Sequence, residues 1–248
     1  MAGVVLGAAA PVSADTPEVD PKADALLQRM SSDLAGLKTF SVDTENSTEV
    51  VTKQGEKIAM IAGSTVSAER PNKLRTDRAG ALADITFYYD GRKVTIWGKR
   101  AKLYATTSAP PTLDQTIDFV RDKLDIDAPA ADLLGSNPYE ALMEDVVSGK
   151  YIADEPIGDR MCHHLAYRGQ ETDWQIWIAD GPKALPCRFE ITSKNISGQP
   201  EYIATMTNWR INPQLPDNEF TFTPPPGSAR IDFLEASQQG QDLRKEPK

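Results

Sequence analysis

Cys162, His163 and His164 stand side by side, and with Cys187 they make up all the thiols and imidazoles of the 248-residue chain. Three chemistries are open to such a set: a Cys–His nucleophile, a zinc site, or a disulfide. Neighbours on a strand point to opposite faces, so His163 and His164 cannot chelate one metal together. No Cys or His spacing fits zinc. A nucleophile also needs a positioned base, and Cys187 offers Cys162 a simpler partner. An even cysteine count in an exported protein favours one bridge, Cys162–Cys187. It would close a loop of about 25 residues, worth roughly 3 kcal/mol by chain entropy. Geometry raises one objection. The strands starting near 162 and 187 should flank the strand at 174–178. Second neighbours lie ~9.6 Å apart, beyond the usual Cα limit of ~7 Å. Both cysteines fall at one edge, where the middle strand has ended at Asp180-Gly181, so the bridge is expected to close around that end.

Carboxylates are numerous: Asp43, Glu45 and Glu49 on one strand, then Asp114, Asp118, Asp122, Asp125 and Asp127. Calcium binding or a hydrolytic carboxylate pair would be their chemistry. The four-residue spacing of 114, 118 and 122 instead describes one solvated helix face, and no Gly-containing calcium loop is present. No catalytic residue, metal site or cofactor is expected, and the chain reads as non-enzymatic. A net charge of −9 without a basic stripe argues against nucleic acid and anionic membrane surfaces as partners. No segment approaches the ~20 apolar residues of an integral membrane span.

Apolar side chains remain as the functional candidates. Met60, Phe87, Tyr89, Ile96, Ile176 and Phe189 occupy the dry parity of their strands and would line an apolar cavity. Met and aromatic linings adapt to an acyl chain. Leu113, Ile117, Val120 and Leu124 form the stripe of a helix that would cover it as a lid.

Around these residues the chain alternates helices with many strands. Asp20-Pro21 opens a helix whose stripe is Leu26, Leu27, Met30, Leu34 and Leu37, ending near Gly36. Strands follow, with a hairpin at Asp90-Gly91. Thr112 with Gln115 fits a capping box for a second helix. Asn137-Pro138 starts a third, carried through Val146 to a stop at Gly149. The sheet resumes at about Cys162, and Phe220-Thr221-Phe222 reads as a last short strand. The economical fold is α+β: one strongly curved antiparallel sheet with helices packed on its concave face.

Residues 4–14 form a short apolar run ending in Val12-Ser13-Ala14, the back end of a secretory signal with its true start upstream. Cleavage is expected after Ala14. This divides the chain into a truncated signal peptide at 1–14, one domain at 20–233 and a polar tail at 234–248.

Six stretches carry a family resemblance: Ala68-Glu69-Arg70-Pro71-Asn72-Lys73-Leu74-Arg75, Tyr89-Asp90-Gly91-Arg92-Lys93-Val94, Cys162-His163-His164-Leu165-Ala166-Tyr167-Arg168, Asp173-Trp174-Gln175-Ile176-Trp177-Ile178, Leu185-Pro186-Cys187-Arg188 and Phe220-Thr221-Phe222-Thr223-Pro224-Pro225. Together they resemble the periplasmic family called domain of unknown function 2092, from about Pro21 to Phe233. The wider resemblance is to the lipoprotein carriers LolA and LolB. It implies a half-open β-barrel lidded by helices, a periplasmic location, and a cavity for a lipid or an acylated protein. The alternative is an envelope interaction or sensor module with a filled core, whose partner would be an envelope protein.

Overall fold

The computed structural model describes residues 18–81 and 83–233. The expected signal segment at 1–14 and the tail at 234–248 lie outside the described residues.

A two-residue strand, β1 (Glu18–Val19), leads into α1 (Pro21–Ala35). The Asp20 carboxylate caps α1 by accepting the Lys22 N–H at 2.7 Å, and Pro21 has no N–H to leave unpaired. Ala23, Leu27, Met30 and Leu34 recur on one face of α1 and are buried. Six strands follow: β2 (Thr39–Val51), β3 (Lys57–Glu69), β4 (Lys73–Gly80), β5 (Asp84–Tyr89), β6 (Lys93–Gly98) and β7 (Leu103–Ser108). Thr112 caps α2 (Leu113–Leu124), its hydroxyl accepting the Gln115 N–H. A 3₁₀ turn (Ala131–Leu134) and the short α3 (Pro138–Met143), capped by Asn137, complete the helical part. The chain returns through β8 (Val146–Ile157), β9 (Arg160–Gly169), β10 (Thr172–Ala179), β11 (Pro186–Ser193), β12 (Glu201–Ile211) and β13 (Ala229–Ile231).

The thirteen described strands join one sheet, in the order β1-β8-β9-β10-β11-β12-β2-β3-β4-β5-β6-β7-β13. Hairpin neighbours pair antiparallel, and β12 seams onto β2 to unite two flanks. Both edges are parallel: β1 on β8 and β13 on β7.

This topology corrects the expected sheet. It is mixed rather than antiparallel, and it is an open ladder whose end strands do not meet, so the strongly curved, half-open β-barrel is not formed. The α+β class stands, with few helices on one large sheet. The reason is in the edges. Each flank ends on a short strand that returns in parallel from outside the hairpin series. Alternation reports which face is dry and which neighbours pair, but it carries no signal for closure.

Two local expectations also change. The third helix stops at Met143, and Val146 and Gly149 belong to β8. A Cβ at Gly149 would sit 2.5 Å from the Tyr167 ring, so this glycine serves close strand packing rather than a helix stop. Phe220-Thr221-Phe222 forms no strand. Phe222 instead packs against Tyr88, Trp97 and Tyr104, with ring centroids 5.1–5.8 Å apart.

Candidate functional site

The face of the sheet that carries the helices is not equally covered. Over β2 to β6 and β12, the cover is α2 and the segment from Ile126 to Leu134, and beneath it lies a cavity of about 250 Å³. Strand parity puts Phe40 and Val42 of β2, Val66 of β3, Leu74 of β4, Phe87 of β5 and Ile96 of β6 on its floor. Leu113, Ile117 and Val120 come down from α2, with Ile126 and Leu133 beside them. The space exists because Thr44, Ser64 and Thr76 share this parity. Short side chains at those points do not reach the cover.

A polar group crosses the cavity at one end. Asn46, on the dry parity of β2, is buried. Its Nδ2 donates to Thr44 Oγ1 at 3.0 Å and Ser64 Oγ at 2.9 Å, and its Oδ1 accepts the Tyr202 hydroxyl at 2.9 Å. Burial pushes the Tyr202 phenol up to about 12, with Asp127 adding to the rise and Arg78 opposing it. Tyr202 is therefore a neutral donor at physiological pH, and the ring of groups around Asn46 is internally satisfied. Arg78 of β4 lines the same end, and Asp127 is exposed at the rim.

The opposite end is fastened. Arg70, in the turn between β3 and β4, donates from Nη1 to the carbonyls of Leu134 at 2.6 Å and Gly135 at 3.0 Å. Asp114 in the first turn of α2 accepts the Ser136 N–H at 2.7 Å and the Ser136 hydroxyl at 3.0 Å. Leu113 N donates to Pro71 O at 3.0 Å. The start of α2 and the exit of the 3₁₀ turn are thus tied to one turn of the sheet. The Arg70 Nε and Nη2 are buried without a partner among the described residues. Burial lowers the Arg70 pKa, opposed by the Asp114 charge, and a guanidinium stays protonated throughout the neutral range.

The candidate cavity residues from the sequence divide. Phe87 and Ile96 line this cavity, as do Leu113, Ile117 and Val120 of the expected lid stripe. Leu124 is buried in the core at the end of α2. Tyr89 is fully buried and donates its hydroxyl to Pro110 O at 2.7 Å. Ile176 sits in packed core on the other flank, and Phe189 is buried there 5.8 Å from Trp174, bordering a second cavity of about 230 Å³ outside the first. Met60 is half-buried further along β3, past Ala62 and outside the cavity wall. Sequence reasoning missed Arg70, Arg78, Asn46 and Tyr202. A signal existed for two of them: Asn46 and Arg78 fall on the dry parity set by Val42 and Leu74, where a polar residue needs a reason.

Cys162 and Cys187 are joined by a disulfide with Cα atoms 6.9 Å apart. It crosses beside Ala179 at the end of β10, and Cys162, Trp177, Ala179 and Cys187 form a separate small core. The small alanine lets second-neighbour strands approach. The two histidines diverge as parity requires: His163 Nδ1 meets Asp154, while His164 stacks on Trp177 at 4.0 Å and contacts Gln175 and Glu155. Among the described residues no three His, Cys, Asp or Glu side chains group to hold a metal ion. No described helix is long and apolar enough to cross a membrane.

The family described as predicted periplasmic protein (DUF2092) matches residues 23–234. No curated protein matches the chain. An uncharacterized conserved protein from Thermus thermophilus aligns over 85% of this chain and 99% of its own, at 11% identity and a TM-score of 0.50. That likeness is one of fold. The lipoprotein LppX of Mycobacterium tuberculosis aligns over 79% of this chain and 98% of its own, at 13% identity and a TM-score of 0.45. A LolA superfamily protein from Nitrosomonas europaea aligns over 81% and 97%, at 11% identity and a TM-score of 0.38.

Proposed function

The chain belongs to the family of predicted periplasmic proteins known as domain of unknown function 2092, and on that premise we propose that it is a periplasmic carrier or binding protein that holds an acyl chain beneath α2. The observation that carries this reading is the cavity itself: about 250 Å³, floored by strand side chains and roofed by Leu113, Ile117 and Val120. That is near the lower end of ligand pockets, roughly 300 Å³ and upward, and suits one chain better than a bulky multi-chain lipid. Burial of each methylene contributes about 0.8 kcal/mol, so a chain that fills the space binds without any catalytic group. α2 serves as the cover, and the hydrogen bonds of Arg70 and Asp114 hold it shut. The cargo is a free amphiphile or the acyl group of a lipidated protein.

Titrating delipidated protein with a fluorescent fatty-acid probe tests the reading. Saturable binding with one site per chain is expected, together with an acyl species in the organic extract of freshly purified protein. Absence of binding across a series of chain lengths would remove it.

A further inference from the structure

One cation sets the polar end of the cavity apart. Arg78 lines the wall on β4, and among the described residues it has neither an ion-pair nor a hydrogen-bond partner. Every other strand-borne arginine has one. Arg75 meets Asp77 and Glu219, Arg168 meets Asp173, Arg188 meets Glu190, and Arg210 meets Asp43. Arg160 and Arg230 donate to backbone carbonyls. The neutral polar groups nearby do not need Arg78, because Asn46, Thr44, Ser64 and Tyr202 satisfy one another. The carboxylate at that rim, Asp127, makes no ion pair with Arg78 among the described residues and is exposed to solvent. A half-buried guanidinium beside an apolar cavity, with its hydrogen-bonding fork unoccupied, matches a planar or tetrahedral oxyanion.

We infer that the occupant of the cavity is an anionic amphiphile, with its carboxylate or phosphate head on Arg78 and its chain running toward Leu113 and Val120. This rests on the acyl-chain reading and adds the head group to it. The geometry orients the ligand. The fastened end is closed by the hydrogen bonds of Arg70, Asp114 and the Leu113 N–H, so the chain enters tail-first and the head stops at the rim.

Three amphiphiles of one chain length separate the possibilities: dodecanoate, dodecyl phosphate and dodecanol, each competing with the fluorescent probe on the full chain, above the carboxylate titration range. A charged hydrogen bond is worth about tenfold or more in affinity. At least one anion is therefore expected to compete about tenfold better than dodecanol, and the tighter of the two identifies the head. Arg78→Gln should erase that preference while leaving dodecanol unchanged, and Arg78→Lys should keep part of it. Since Arg78 makes no hydrogen bond or ion pair among the described residues, thermal unfolding of both variants should stay close to the parent. Equal competition by all three amphiphiles, or a preference that survives Arg78→Gln, overturns the head-group inference and leaves the acyl reading standing. Failure of all three to bind overturns both.

Discussion

The two flanks of the sheet follow the same alternation and end in different states. On the flank of β8 to β11, the face under α1 is filled, and a second cavity of about 230 Å³ opens only beyond it, beside Phe189 and Ile191 and rimmed by the charged Arg121, Asp132 and Glu144. Tyr167 stacks on Trp174 at 4.1 Å, Phe189 leans on Trp174, and Leu165, Ile176 and Ile178 are fully buried. On the flank of β2 to β6, Val66, Ile85, Phe87 and Ile96 are only half-buried and face the cavity. The covers explain the difference. α1 is 15 residues long and presses Leu27, Met30 and Leu34 inward without exposure. α2 has 12 residues, and Ile117 hangs over open space where Ser64 and Thr76 fall short. Strand parity decides which side chains face inward. The size of those side chains and the reach of the cover decide whether the space between them closes.

The sharpest way to break this comparison is to truncate one phenylalanine on each flank. Phe189 is 2% exposed, and Phe189→Ala is expected to destabilise by about 3–5 kcal/mol in urea unfolding. Phe87 is only half-buried, so Phe87→Ala should cost about 1–2 kcal/mol, mostly the smaller transfer share. Equal losses would mean that the β2–β6 flank closes in solution. Phe189→Glu would bury a carboxylate beside Trp174, and unfolding is the expected result.

The disulfide sharpens the contrast next. It staples β9 to β11 in the small core of Trp177 and Ala179, and neither cysteine lines the cavity, although Pro186 beside Cys187 does. Replacing Cys162 and Cys187 together by alanine should lower stability by about 2–4 kcal/mol. Probe affinity measured well below the new unfolding midpoint should not change. A parallel loss of binding would show that the two flanks are coupled.

Much of this contrast was legible in the sequence, though unevenly. Periodicity marked α1 and α2 with their Asp20 and Thr112 caps, since capping chemistry is local. The Cys162–Cys187 pairing followed from cysteine count and export context. Alternation put Phe87 and Phe189 on the same dry face, but it could not separate a cavity wall from a filled core, because the difference lies in what covers them. β8 was hidden: Gly149 and Pro156 interrupt it, and Ile152 faces outward at 47% exposure. The open sheet was hidden as well, since the parallel edges come from Glu18–Val19 and Ala229–Ile231, segments too short to show a period.

Filling the cavity tests its emptiness with a smaller change in stability. Ile117→Trp adds volume where Ile117 faces open space. Stability should move by less than about 1 kcal/mol, because the added volume has the cavity to enter. Affinity for the fluorescent fatty-acid probe should fall about tenfold or more, the equivalent of about two excluded methylenes. A large loss of stability with unchanged binding would place the ligand elsewhere.

The smallest expected effect concerns how the cover is held. Burial acts to raise the Asp114 pKa, but the Ser136 hydrogen bonds and the Arg70 charge outweigh it and hold the carboxyl below its ordinary value of 3.8. A depressed carboxylate contributes stability that is complete above its unfolded value and is lost as pH falls through the folded one. The tie between α2 and Ser136 should therefore weaken in acid, below 3.8. Asp33, Asp43 and Asp77 are depressed too, so the whole domain also loses stability there and a global melt would not isolate the effect. Hydrogen exchange read segment by segment does isolate it. In the parent, amides from Ile126 to Ser136 should lose protection with falling pH faster than those of β9 and β10. In Asp114→Asn they should be less protected at neutral pH and should track β9 and β10 on acidification. If the same excess acid loss persists in Asp114→Asn, another carboxyl holds the cover, and the fastened end of the cavity has been assigned to the wrong residue.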